Sequence, residues 1–207
     1  QDLESTEFDS ALGTIGGGNH FAELQAVEQV LNATAFKKLG LGKQQLVVLV
    51  HSGSRGLGEC ILRAHVDQHF GDGVEADSFA AEEYLCGHDF AVRWAKANRE
   101  LIARRFVATL GAEAEYLWDG CHNSITRIEI PLPGLPATLS PSDGEGDGGR
   151  GARKTVWVHR QGTVDANAEF VVIPGSRGSL SYLVRPIGDG ESHAWSLAWS
   201  TTIIPFR

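Results

Sequence analysis

The stretch QQLVVLV, residues 44–50, constrains the fold of this chain most, because it is a continuous apolar run rich in β-branched Val. Such a run is typical of a strand that is buried on both faces. It leads directly into HSGSRGLGE and then into CILRAHVDQHF, whose apolar residues recur at helical spacing. The sequence therefore predicts a buried strand, a Gly/Ser turn and a helix in succession.

The remaining sequence mixes helical and strand-like patterns without an internal repeat. The longest helical pattern spans residues 79–110, and Arg99 lies off its apolar stripe. That stripe consists of Phe90, Trp94, Ala97 and Leu101. HFAELQAVEQVL fits a strand or a helix equally well, whereas KTVWVHR, EFVVIPG and LSYLVRP read as strands. Residues 131–152 hold four of the seven prolines, which predicts a mobile loop within a single α/β or α+β body over residues 1–207.

Charge and cysteine content exclude some classes of protein. A formal net charge of −8 argues against a protein that coats nucleic acid through bulk electrostatics. No apolar run approaches the roughly 20 residues of a membrane span, and no signal segment is visible, so we expect no membrane partner. Three cysteines without framework spacing indicate reduced thiols and a cytoplasmic location. Of these, Cys60 and Cys86 are expected to be small core residues.

Three histidines share a context of small residues at a strand or loop edge. His20 follows GGGN, His51 ends the predicted buried strand, and His122 lies in CHNS, where Cys121 offers a soft ligand. Three imidazoles from separate segments are a recurrent way to build an open metal site. The spacing alone is not specific, so hydrogen-bonded structural histidines remain an alternative for each.

The other histidines give a weaker signal. His65 and His69 lie four residues apart and share one helix face, which permits metal binding, although a solvated face is the favoured interpretation. His88 and His193 are expected to be surface groups rather than ligands.

Three loops are rich in Gly and Ser: GGGNHF, HSGSRGLG and IPGSRGSLSY. Exposed backbone N–H groups, hydroxyls and the guanidinium groups of Arg55 and Arg177 together suit phosphate binding. None of the loops matches GxxxxGK[ST] or a dinucleotide GxGxxG. We therefore expect an unfamiliar mode of nucleotide binding, with plain tight turns as the alternative.

Taken together, the motifs resemble those of the RtcB-type RNA ligases. The matching pieces, in the order of that family, are LGTIGGGNHFAEL, VLVHSGSRGLG, CHNSITRIE, VWVHRQG and VIPGSRGSLSYLVRP. The resemblance extends from about residue 11 to about residue 198. It implies an α+β fold around a two-manganese site and a GTP-dependent joining of RNA 3′-phosphate or 2′,3′-cyclic phosphate ends to 5′-hydroxyl ends.

The resemblance also implies roles for individual residues. His20, His51 and His122 would bind manganese, and Glu23 would hold the edge of the guanine base. The residues that would surround the guanosine nucleotide are Asn19, His20, Phe21, Ala22, Glu23, His122, Asn123, Pro174, Gly175, Ser176, Arg177 and Ser181. RNA with broken ends, GTP and Mn²⁺ are the implied substrate and cofactors. A release-factor-like or activating protein is a further expected partner of a monomeric chain.

Two departures from the family pattern limit these expectations. The family carries an Asp and a Cys as manganese ligands well upstream of the GNH motif, and nothing in residues 1–10 replaces them. The family histidine that accepts guanylate would fall at Trp199, and an indole cannot form a phosphoramidate. The sequence thus predicts a chain truncated at both ends with impaired ligation. Alternatives are an inactive guanosine- or RNA-binding remnant with a three-His metal site, or a three-His metallohydrolase.

Overall fold

The computed structural model of the chain describes residues 4–70, 72–131, 153–164, 169–185, 196–197 and 201–206. A 3-10 helix, Glu7–Ala11, is followed by the α-helices α1 (Ala33–Lys38), α2 (Gly56–His69) and α3 (Phe79–Thr109). The strands are β1 (Phe21–Ala26), β2 (Leu46–His51), β3 (Trp118–Gly120), β4 (Asn123–Pro131), β5 (Arg153–Gln161), β6 (Thr163–Val164), β7 (Val171–Ile173), β8 (Tyr182–Val184), β9 (Ser196–Leu197) and β10 (Thr201–Pro205). Helices combined with antiparallel sheets confirm the expected mixture of α and β structure.

The main sheet has the strand order β1-β2-β10-β3, and every pairing in it is antiparallel. Strand β2 confirms the prediction made from the QQLVVLV run. Val48 and Val50 are fully buried on one face, in a cluster with Ile102 of α3. Leu49 points to the opposite face, where it packs with Phe21 and other residues. Because both faces of β2 are covered, every residue from Val48 to Val50 must be apolar.

Helices α2 and α3 pack against each other beside this sheet. Leu57 of α2 lies in one buried cluster with Ala91 and Trp94 of α3. Ser78 begins α3 because its side chain accepts a hydrogen bond from the backbone N–H of Ala81. Of the four residues in the predicted apolar stripe of α3 only Trp94 is buried, so the prediction of the buried face was largely wrong. Arg99, which the pattern places off the stripe, is fully buried.

For some segments the local sequence gave an ambiguous or a wrong prediction of secondary structure or burial. In the ambiguous stretch HFAELQAVEQVL only the first half forms regular structure, the strand β1, which pairs with β2. The three strand-like runs coincide with β5, β7 and β8, as predicted. Cys60 and Cys86 are exposed, so the expectation that they belong to the core was wrong. Both lie on the outer sides of the paired helices, where helical periodicity leaves them in solvent.

Other expectations concern parts of the chain that are not described. Residues 132–152 of the predicted mobile loop lie outside the described residues, as do His193 and Trp199. Among the helices that the structure does describe, none combines the length and the apolar character needed to cross a bilayer.

Candidate active site

The sheet topology brings His20, His51 and His122 to one end of the strands. His51 is the last residue of β2, and His20 immediately precedes β1, whose first residue Phe21 is paired with His51. His51 is also paired with Thr201 of β10, which in turn is paired with Gly120 at the end of β3. Because β2 and β3 flank β10 and are both antiparallel to it, their last residues lie at the same end of the sheet. His122 follows β3 by two residues and joins the group.

The three rings are neighbours. The ring centroids of His20 and His51 are 5.4 Å apart, and those of His51 and His122 are 6.0 Å apart. Burial lowers the pKa of His20, and the Arg55 guanidinium lowers it further. Burial likewise lowers the pKa of His122, although the hydrogen bond with Asn123 opposes this effect. The neutral imidazole, which has a free lone pair for a metal, is therefore favoured at neutral pH.

These donors fit a transition-metal ion chemically, because neutral imidazole is a common ligand of such ions. Two imidazoles that share one ion at about 2.1 Å have ring centroids roughly 4.5–5.5 Å apart. The separation between His20 and His51 falls within this range, and that between His51 and His122 lies just beyond it. In the arrangement observed, the described residues contain no group of three or more His, Cys, Asp or Glu side chains placed to hold a metal.

A buried asparagine in α3 fixes two of the loops that carry the histidines. Asn98 is fully buried, and its Oδ1 accepts a 2.6 Å hydrogen bond from the backbone N–H of Gly13. Its Nδ2 lies 3.2 Å from each of three acceptors. They are the carbonyl oxygen of Thr14, the hydroxyl of Ser52 and the carbonyl oxygen of Gly53. Asn98 therefore ties the loop before His20 to the loop after His51.

Its neighbour Arg99 fixes the third segment. The Nε and Nη2 atoms of Arg99 each donate a 2.7 Å hydrogen bond to the Asp119 carboxylate, which is a bidentate ion pair. Nη1 donates to the carbonyl oxygen of Ser52 at 3.1 Å. The end of β2 is thereby joined to β3, three residues before His122. Sequence reasoning missed both residues, although Asn98 lies four residues after Trp94, on the buried face of the helix.

Arg55 has a strained backbone at the edge of the site. Its φ of 57° and ψ of −140° are unusual for a residue with a side chain. Nη1 lies 3.3 Å from Nδ1 of His20, and Nε is buried without a hydrogen-bond partner among the described residues. Gly16 has a φ of 97°, and a Cβ there would collide with the Arg55 guanidinium. The first glycine of GGGN thus leaves space for this arginine.

The third Gly/Ser loop folds back onto β1. The backbone N–H of Gly178 donates to Oε1 of Glu23 at 2.9 Å, and Arg177 Nη2 donates to the His20 carbonyl oxygen at 3.1 Å. The Ser181 hydroxyl accepts a 3.1 Å hydrogen bond from the N–H of Gly175. Arg177 thus contacts His20, and the rest of this loop is hydrogen-bonded to the side chains of β1.

Some of the predicted site residues are buried or hydrogen-bonded to neighbouring groups. Phe21 is 3% exposed and packs in the core, with its ring 5.7 Å from that of His51. Pro174 is also buried. Cys121, considered as a soft ligand, donates its thiol hydrogen to the Asn123 carbonyl oxygen at 2.9 Å. Asn123 itself is exposed and places Oδ1 2.8 Å from Nδ1 of His122.

Comparison with known proteins gives one consistent family. The sequence profile of RtcB, described as tRNA-splicing ligase RtcB, matches residues 2–199. The RNA-splicing ligase RtcB2 of Escherichia coli is 36% identical over 198 residues, which cover 93% of this chain and 47% of that protein. The tRNA-splicing ligase RtcB of Nanoarchaeum equitans is 32% identical over 215 residues, covering 92% and 43%. The chain thus spans a little under half the length of these relatives.

Proposed function

Because the chain belongs to the RtcB family, whose profile covers residues 2–199, we propose that it serves in RNA end joining with GTP and Mn²⁺. The proposed substrates are RNA 3′-phosphate or 2′,3′-cyclic phosphate ends and 5′-hydroxyl ends, in RNA repair or tRNA splicing. The observation that carries the proposal is the convergence of His20, His51 and His122 at one end of the sheet, beside the loop of residues 174–181.

In this proposal the histidines hold manganese, which would offset the negative charge that develops on phosphoryl oxygens. Asn98 and Arg99 act as positioning residues, because they fix the segments that carry the histidines. Arg55 lies against His20, and its guanidinium is of the kind that binds phosphate oxygens. Joining consists of attack by the RNA 5′-hydroxyl oxygen on the activated 3′-phosphorus, with loss of GMP.

Glu23 is the proposed guanine-binding residue. Its carboxylate already accepts hydrogen bonds from the Gly178 N–H and from Gln25 Nε2. The N–H groups of guanine would replace these two N–H donors, so guanine binding requires that Glu23 exchange its hydrogen-bond donors. Arg177 and Ser181 border the same space, since both belong to the loop that packs on β1.

The step that attaches guanylate to the protein is proposed to be impaired in this chain. By the family resemblance, Trp199 stands where the accepting histidine is expected. We expect no covalent label on the chain after incubation with α-labelled GTP and Mn²⁺, followed by denaturing electrophoresis. Covalent label on the chain would contradict the role given to Trp199.

Metal and nucleotide binding test the rest of the proposal. Electron paramagnetic resonance of free Mn²⁺ should show binding by the chain and tighter binding when GTP is present. His122→Ala should weaken Mn²⁺ binding at least about tenfold. His88→Ala is the matched control, since His88 lies on α3 outside the three-histidine group, and it should bind Mn²⁺ as the unaltered chain does. Absence of Mn²⁺ binding above background would leave the three histidines structural.

The presence of Trp199 favours a second candidate, a guanosine- or RNA-binding protein without turnover. It predicts GTP and RNA binding with no joining, even when the RNA carries a preformed 3′-guanylate. Joining of such an activated RNA to a 5′-hydroxyl strand would support the ligase proposal instead, because this substrate bypasses the accepting histidine.

A further inference from the structure

The last turns of α2 carry a histidine pair outside the candidate active site. His65 and His69 in the sequence HVDQH share one helix face. Their ring centroids are 4.7 Å apart, with the ring planes inclined by 49°. Two imidazoles bound to one ion at about 2.1 Å have centroids roughly 4.5–5.5 Å apart. The observed separation lies within this range, so the spacing of the two rings permits them to share a metal ion.

The packing of α2 on α3 holds one of these rings in place. Tyr84 of α3 stacks on His65, with centroids 4.3 Å apart and planes inclined by 29°. Both histidine rings remain partly accessible to solvent. Burial lowers the pKa of His65, the charge of His69 lowers it further, and Glu83 opposes these effects. At neutral pH the His65 ring is thus neutral and able to bind a metal.

The local charge favours a cation. No Lys or Arg occurs between Arg63 and Arg93, and Arg63 is paired with Glu59. The same stretch contains seven acidic residues: Asp67, Asp72, Glu75, Asp77, Glu82, Glu83 and Asp89. The pair also lies at the C-terminal end of α2, where the helix dipole contributes partial negative charge. Among these groups Glu83 acts directly on His65, and together with the C-terminal end of α2 it favours a cation bound at the pair.

The pair is distinct from the three-histidine group. His65 lies ten residues beyond Arg55, which corresponds to about 15 Å along the helix axis. Two protein ligands leave coordination positions for water, since the described residues supply no third His, Cys, Asp or Glu in place. Imidazole ligands select Zn²⁺, Cu²⁺ and Ni²⁺ over Mg²⁺ and Ca²⁺.

We propose that His65 and His69 form a two-histidine clamp for a transition-metal ion of the Zn²⁺ class, separate from the candidate active site. This inference does not depend on the proposed ligase function, because it rests on other residues and on a different class of metal ion.

Zinc binding to the 207-residue chain tests the clamp. Equilibrium dialysis against Zn²⁺ gives the number of ions bound per chain, and His69→Ala should lower this number by one. Substoichiometric Cu²⁺ should broaden the backbone amide NMR signals of residues 65–69 and of Tyr84. Far-UV circular dichroism confirms that the helix content of each variant is unchanged. Because His65 packs on Tyr84, the His69 variants are the decisive ones if His65→Ala lowers helix content.

A matched control separates geometry from histidine content. The double variant Val66→His/His69→Ala keeps the number of histidines but places the two rings about 100° apart around the helix axis. Val66 is 40% exposed, so the position accepts a polar side chain. This variant should lose the ion, and His88→Ala should retain it. Zinc binding by the double variant equal to that of the unaltered chain would overturn the proposal, as would a lack of copper broadening at residues 65–69 and Tyr84.

Discussion

Two adjacent side chains of α3, Asn98 and Arg99, determine the geometry of the candidate site. Both are fully buried and hydrogen-bonded: Asn98 bonds to two loops, and Arg99 bonds to Asp119 and to the carbonyl oxygen of Ser52, the residue after β2. Buried polar groups are stable only when they are paired. The two residues therefore fix the backbone segments from which the site histidines project.

Replacement of Asn98 should be severe. Asn98→Ala leaves the Gly13 N–H and the Gly53 carbonyl without their partner, so we expect a loss of about 2–4 kcal/mol in the free energy of unfolding. Denaturant unfolding monitored by tryptophan fluorescence measures this loss. Asn98→Asp retains the acceptor for Gly13 but sets a buried carboxyl oxygen against the carbonyl oxygens of Thr14 and Gly53, so it should also be strongly destabilising. Equal stability of the alanine variant and the unaltered chain would show that the network is dispensable.

The glycine triplet offers a second prediction at the scale of single residues. Gly16→Ala should destabilise the fold by about 1–3 kcal/mol, because Gly16 has a φ of 97° and its Cβ would collide with Arg55. Gly17→Ala is the matched control, since its φ is not positive and no atom lies within 4 Å of its Cβ position. Thermal unfolding should separate the two variants. Similar midpoints for both would contradict the close approach of Arg55.

At the scale of elements, the short 3-10 helix Glu7–Ala11 is joined to α3 through Asp9. The Asp9 carboxylate accepts from the Thr6 N–H, from the hydroxyls of Ser5 and Thr6, and from the indole N–H of Trp94. These bonds form a capping box and a contact between helices, so the charged form of Asp9 is favoured.

The pH dependence of Asp9 follows from these bonds. The Thr6 backbone N–H is the largest contribution, and together they lower the pKa of Asp9 from 3.8 to about 2. The Asp9 carboxyl group releases its proton more readily in the folded state than in the unfolded state. The stabilisation that Asp9 contributes is therefore complete above pH 3.8 and is lost as the pH falls to about 2. A carbon-13 NMR titration of the carboxyl group measures this pKa. Thr6→Ala should raise it, and an unchanged value would contradict the capping arrangement.

At the scale of the whole molecule, β10 completes the main sheet although it comes last in the described sequence. It pairs with β2 on one side and with β3 on the other. Ile203 and Ile204 are buried on opposite faces, in the two clusters that also contain Leu49 and Val48. The family profile ends at residue 199, so this central strand lies beyond the region that the family similarity covers.

Removal of β10 should therefore disrupt the whole fold rather than one edge. A variant without residues 201–207 exposes the backbone of β2 and removes both buried isoleucines. We expect loss of cooperative thermal unfolding and loss of amide protection in β2 by hydrogen exchange. Ile204→Val is a mild control that should cost about 0.5–1.5 kcal/mol. Protected β2 amides in the shortened chain would show that β1 alone supports this strand.

The sequence by itself determined the local elements and the family. The apolar run of β2, the helical pattern of α3 and the motifs around His20, His51 and His122 are all local, because periodicity and turn chemistry act over a few residues. Family membership followed from those motifs and is confirmed by the profile match. The assignment of individual metal and nucleotide ligands stays a prediction.

Only the tertiary structure decided how these parts meet. The three histidine rings are neighbours because of three strand pairings: β1 with β2, β2 with β10, and β10 with β3. One of these pairs His51 with Thr201, which is far away in the sequence. The burial of Arg99 and the exposure of Cys60 likewise depend on which elements pack together. Contacts of this kind are set by the free energy of the whole packed structure, which no short sequence pattern reports.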